Sequence, residues 1–167
     1  MSSDEILREH LDYLLSGGGA HMSFEEVIDG LPAQLRGSKP PLVPYTPWRL
    51  VEHMRLSQRD ILGFSVDPEY ESPEFPDGYW PHEPAPPTPH AWDHSVKQFQ
   101  ADNQAMRELV SNPKISLMAP ITHGQGQTIL REALLVADHN SYHLGQLIVV
   151  RRLLGALETD DEAPDNL

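Results

Sequence analysis

The chain has 167 residues, enough for one ordinary domain with a real core. Twelve Lys and Arg stand against 25 Asp and Glu, a net charge of −13, which opposes binding to nucleic acid and to anionic membranes. With no cysteine present, disulfides, thiolate ligands and a cysteine nucleophile are all excluded.

The N-terminal MSSDEILREH is acidic and lacks the basic start and apolar core of a signal peptide. No apolar run approaches the ~20 residues that span a bilayer. A cytoplasmic location is expected. Ile6, Leu7, Leu11, Leu14 and Leu15 fall at helical spacing, predicting a helix over 4–15 that Gly17-Gly18-Gly19 stops. A short segment over 23–31 follows, with Ser23 as its cap and Pro32 beyond it.

Thr46-Pro47 opens a helix that runs to about Gly63, with Leu50, Met54, Ile61 and Phe64 as its apolar stripe and His53 beside it. Residues 65–88 carry seven of the 16 prolines and cannot form a helix or a central strand. They also carry Tyr70, Phe75, Tyr79 and Trp80, so an ordered loop packed on the body of the protein is expected. Either a lid or a plain crossover strap would meet that description. Thr88-Pro89 reads as the start of a further helix, ending near Pro113. Thr128 caps the last one, which runs to about Leu154 and stops at Gly155. Gly145 inside it should cost about 1 kcal/mol relative to Ala. Close approach of a neighbouring helix or a ligand would explain it. Four substantial helices and no strand pattern predict an all-α bundle. The stretch 158–167, with five acidic and no basic residues, is expected to be a disordered tail on a domain over 1–157.

The last helix contains Asp138-His139-Asn140-Ser141-Tyr142-His143-Leu144-Gly145-Gln146. Side chains four apart on a helix share a face, so His139 and His143 can grip one metal ion, and Gln146 joins that face. Asn140 stands where a zinc peptidase of the His-Glu-x-x-His type has its general base, and an amide cannot take up a proton at neutral pH. Two histidines rarely make a tight site. Of the others, His123 precedes the helix cap and would have to fold back about 16 Å to reach His139. His82, His90 and His94 belong to the proline-rich loop and the helix start after it, His10 could face either way, and His53 is the best placed.

Trp48-Arg-Leu-Val-Glu-His53-Met-Arg and Ala137-Asp-His139-Asn-Ser-Tyr-His143-Leu-Gly-Gln146 resemble the DinB/YfiT-like superfamily of metal-binding four-helix bundles. His123-Gly-Gln-Gly-Gln-Thr128 and Pro76-Asp-Gly-Tyr-Trp80 are similar to one DinB-like subgroup. The resemblance implies an up-down-down-up bundle with a long crossover loop, and a divalent metal on His53, His139 and His143. Zinc comes first, with nickel or iron next. Relatives include enzymes in which the metal activates a small-molecule thiol, and a homodimer is the family habit, to which Val149 and Val150 add apolar surface. Three imidazoles leave metal positions open, where water can have its pKa lowered to near 7 and a thiol can be deprotonated. Gln146 would hydrogen-bond a bound water or simply pack. Two functions follow: a thiol transferase or hydrolase acting on a small-molecule substrate, possible low-molecular-weight thiols among them, or a non-catalytic stress-response module with a structural metal. Tyr79 or Trp80 is expected at the mouth of the metal pocket.

Overall fold

The computed structural model describes residues 1–17 and 19–157, so the acidic stretch from Glu158 lies outside the described residues. Five α-helices account for the architecture: α1 (Ser3–Leu15), α2 (Phe24–Ile28), α3 (Pro47–Val66), α4 (Ala91–Ser111) and α5 (Ile129–Leu153). Two single 3₁₀ turns, Ala33–Leu35 and Asp77–Tyr79, sit in the connections, and no strand occurs among the described residues.

Side-chain caps set most of the helix starts. Ser2 and Ser23 each accept from a backbone N–H three residues on, while Glu5 and Glu26 reach back to the cap, so two orphan donors are satisfied at each start. Thr46 Oγ1 accepts from Arg49 N–H ahead of Pro47, and Thr128 does the same for α5. The start of α4 differs from expectation. Thr88 does not cap it; its carbonyl closes a turn on Ala91 N–H, and the helix begins at Ala91 behind His90 with no side-chain cap. Arg8 closes the other end of α4, donating to the carbonyls of Val110, Asn112 and Ile115 at 2.7–3.0 Å. Those acceptors have no partner within the helix, and a cation there also suits the helix dipole.

The buried apolar side chains form two cores. One takes Trp48, Leu50, Val51 and Met54 from the first half of α3, Trp92 and Phe99 from α4, and Leu144, Leu147 and Val150 from the second half of α5. The other takes Leu62 from the end of α3, Met106 and Val110 from the end of α4, Ile129, Ala133, Val136 and Ala137 from the start of α5, and Leu11 and Leu15 from α1. Shared ends of this kind mean that α3 and α4 run in the same direction and α5 runs against them. The segment joining α3 to α4 must therefore travel back along a helix of 20 residues, roughly 30 Å. Leu147 is fully buried in the first core, so Leu147→Ala should cost about 2–5 kcal/mol.

Between the two cores lies a polar waist: Ser57 and Gln58 on α3, Asp102 on α4, and Asn140 and His143 on α5, all buried, with His53 one turn before Ser57. Gly145 is not explained by close packing, because a Cβ there would meet nothing within 4 Å. Val150 is buried in the first core, whereas Val149 is half exposed.

Candidate metal centre

His53 projects from the α3 face that carries Leu50 and Met54, and meets His139 and His143 across the bundle from α5. His53 Nε2 lies 3.1 Å from His143 Nε2 and 3.1 Å from His139 Nε2. One nitrogen from each ring falls within 4.8 Å of the others, and no further His, Asp or Glu of the described residues joins the group.

The protons on these rings can be placed from their partners. His53 Nδ1 is 2.7 Å from the Tyr79 carbonyl, and a carbonyl only accepts, so Nδ1 carries the hydrogen. His143 Nδ1 donates to Gln146 Oε1 at 2.8 Å in the same way. In a neutral imidazole the other nitrogen then carries a lone pair. The rings are neutral because burial disfavours their charged forms. Desolvation holds His53 and His139 down to about 4 and lowers His143 as well; the neighbouring histidines push His53 and His139 further in that direction. The Nε2 lone pairs of His53 and His143 thus face each other at hydrogen-bond distance with no proton to share, an arrangement that repels unless a cation stands between them; His139 Nδ1 has no partner, so no acceptor fixes that ring's proton. Two nitrogens about 2.0–2.1 Å from a tetrahedral zinc would be about 3.3 Å apart. The spacing and the donor set fit a divalent ion.

Residues 67–90 supply the wall of the site. The Trp80 indole stacks on His53 with centroids 3.7 Å apart and planes 4° apart, and Tyr45 stacks on Trp80 at 5.3 Å. Tyr79 O–H donates to Asp60 at 2.7 Å, which ties this part of the loop to α3. Tyr79 and Trp80 therefore stand at the histidine cluster, whereas Phe75 is 83% exposed and does not pack on the bundle.

The other sequence candidates lie elsewhere. His10, His82, His90 and His94 are exposed, and His123 bonds to the Phe64 carbonyl at 2.6 Å. Glu52 is engaged by Arg55 and Ser95, Glu132 is buried beside Arg131, and Asp138 is exposed. Gln146, expected to hydrogen-bond a bound water or to pack, is an acceptor for the His143 ring. The Tyr79 carbonyl was beyond sequence reasoning, since a backbone acceptor leaves no residue-type signal. Gln58 and Asn140 were missed too. Asn140 donates to Gln58 Oε1 at 2.8 Å, and Gln58 donates to the Phe99 carbonyl at 2.7 Å.

A family model described as the DinB superfamily matches residues 19–147, a span that contains all three histidines and the loop that walls them. No curated protein and no solved structure matches the chain. The chain belongs to the DinB superfamily.

Proposed function

We infer that this member of the DinB superfamily holds one divalent ion on Nε2 of His53, His139 and His143 and uses it on a small-molecule thiol or on water, as a thiol S-transferase or a hydrolase. The observation that carries this reading is the convergence of Nε2 atoms at 3.1 Å with the Nδ1 protons of His53 and His143 already committed to other acceptors. Zinc is the first choice for such a donor set, with nickel or iron next. A divalent ion held there supplies acidification of a bound water or thiol at neutral pH.

The chain's own residues do the rest. The Tyr79 carbonyl and Gln146 fix two ligand tautomers and ring orientations, as outer partners of metal-bound histidines do. Trp80 covers one face of His53 and excludes water from it. His139 is the most exposed of the three ligands, and substrate approaches from its side.

A closed structural site, the non-catalytic alternative, calls for a fourth protein ligand, and the described residues bring only three groups together. The proposed scaffold is an up-down-down-up bundle over 1–157, supported by α3 and α4 running together against α5. A homodimer is proposed through α5, where Leu135, Tyr142, Val149 and Leu153 are exposed on the face that also carries Gly145. A sedimentation mass of one chain at micromolar concentration would count against the dimer.

Metal analysis of the natively purified protein, combined with turnover assays over a panel of thiols and hydrolysable esters, tests the function. One ion per chain with thiol- or water-dependent turnover is expected. Absence of a metal would contradict the site, and a tightly held metal with no reactivity would favour the structural role.

A further inference from the structure

Arg49 lies one turn before His53 on α3, so the two side chains share a helix face, with Cβ atoms about 5–6 Å apart. Its guanidinium sits over Trp80, 5.7 Å from the ring centroid, and the same indole stacks on His53. A cation and a candidate ligand ring are thereby held on one aromatic wall.

Most arginines of this acidic chain are spoken for. Arg8, Arg55, Arg59, Arg107 and Arg131 each pair with a carboxylate, and Arg151 donates to the carbonyls of Val27 and Ala156. Arg49 has no ion-pair partner among the described residues, and its Nε is buried without an acceptor. An aromatic face restrains the plane of a guanidinium but uses none of its N–H donors. Arg36 has a similar posture over Trp92, 4.7 Å from that centroid, and its Nε likewise lacks an acceptor, but among the described residues Trp92 stacks on no histidine, so of these two arginines it is Arg49 that shares an aromatic wall with the cluster.

An unused planar fork of N–H donors fits an oxyanion, which it can hold through two parallel hydrogen bonds. In a protein of net charge −13, such a cation next to a metal centre makes a local positive focus. We propose that Arg49 anchors an oxyanion, carboxylate or phosphate, on the small-molecule substrate, so that the reacting group a few bonds away reaches the three-histidine cluster. This substrate class rests on the metal-dependent reading above. Arg49 would act as a binding and specificity residue, and neutral thiols would be poor ligands.

Two measurements test it. In the first, the metal-free protein labelled with ¹⁵N-arginine is titrated with propionate, methyl phosphate and propanol, and the Nε–H signal of Arg49 is assigned by its loss in Arg49→Lys. Saturable shifts with propionate or methyl phosphate and none with propanol are expected, and the tighter of the two identifies the anion. No shift with either anion overturns the proposal. In the second, cobalt-loaded protein is titrated with 3-mercaptopropionate and 2-mercaptoethanol, followed by the sulfur-to-cobalt absorption. The wild type should bind the carboxylated thiol at least about tenfold more tightly, and Arg49→Met should lose that preference while keeping its cobalt. Equal affinities in the wild type, or a preference that survives in Arg49→Met, also overturn it. Failure of the wild type to take up cobalt counts against the metal reading alone, and the arginine titration then decides the anion site.

Discussion

The polar waist of the bundle has two sides, and they differ in how donors match acceptors. Toward α4, the Asn140 amide donates to Gln58 and Gln58 donates to the Phe99 carbonyl, so this side knits three helices with hydrogen bonds that meet their partners. Toward the loop, the Nδ1 hydrogens of His53 and His143 point outward to Tyr79 and Gln146, and Nε2 lone pairs are left facing inward. Both sides are buried, polar and built partly from α5. The first pairs every amide donor named here, though Asn140 Oδ1 and Asp102 Oδ2 stay without a partner; the second turns two lone pairs on each other and lacks a positive charge at its centre. Burial of polar groups alone does not mark a site, and neither does a lone unpaired acceptor; acceptors aimed at one another do.

That contrast can be broken at either side. The largest effect is expected for His139→Ala, which should lower metal affinity beyond the about 10–100-fold typical of losing an outer partner while leaving the helical content unchanged. Metal analysis after dialysis, with circular dichroism alongside, reads both, and full occupancy in this variant would rule the ligand assignment out. Gln58→Leu should do the reverse. It leaves the Asn140 amide without its acceptor, at about 1–3 kcal/mol in a denaturant titration, and returns the Phe99 carbonyl to its bond within α4 alone, with metal stoichiometry retained in the folded fraction. A Gln58→Leu protein as stable as the wild type would show that the α4 side does not hold the bundle. Gln146→Leu should weaken the metal about 10–100-fold by freeing the His143 ring, with little change in stability, measured by chelator competition.

The smallest expected effect is on the pH dependence of the metal-free protein. The folded-state values of His53 and His139 are depressed to about 4, and that of His143 is lowered, while an unfolded histidine titrates near 6.5. Below that value the unfolded chain takes up protons that the folded one does not. Stability is then fully present above about pH 6.5 and is lost as pH falls toward 4. Thermal melts over this range should show the decline, and His53→Leu should flatten it. A pH-independent melting temperature in the wild type would mean that the cluster is charged or open to solvent.

The helices were legible in the sequence where side chains carry the signal. Ser23, Thr46 and Thr128 are caps by chemistry, and they cap in the fold. Thr88-Pro89 has the same letters, but its carbonyl is used in a turn, and sequence cannot tell the two apart. His139 and His143 were visible through helical spacing. From spacing His53 was visible only as a histidine beside an apolar stripe, because its pairing depends on how α3 meets α5; the family resemblance is what named it a ligand. Tyr79 or Trp80 was expected at the pocket mouth, but the Tyr79 carbonyl and the stacking of Trp80 on His53 carry no signal in the sequence. Of the two explanations for Gly145, close approach of a helix or of a ligand, the structure removes the first by leaving open space beside it.

Three imidazoles, and no other side chain, are proposed to hold one divalent ion. X-ray absorption at the metal edge of the natively loaded protein tests it most directly. Three imidazole nitrogens at about 2.0–2.1 Å, with the remaining positions filled by solvent or an added thiol, is the result predicted for zinc. A spectrum with two imidazoles or with a carboxylate ligand, or a protein that carries no metal, would contradict it.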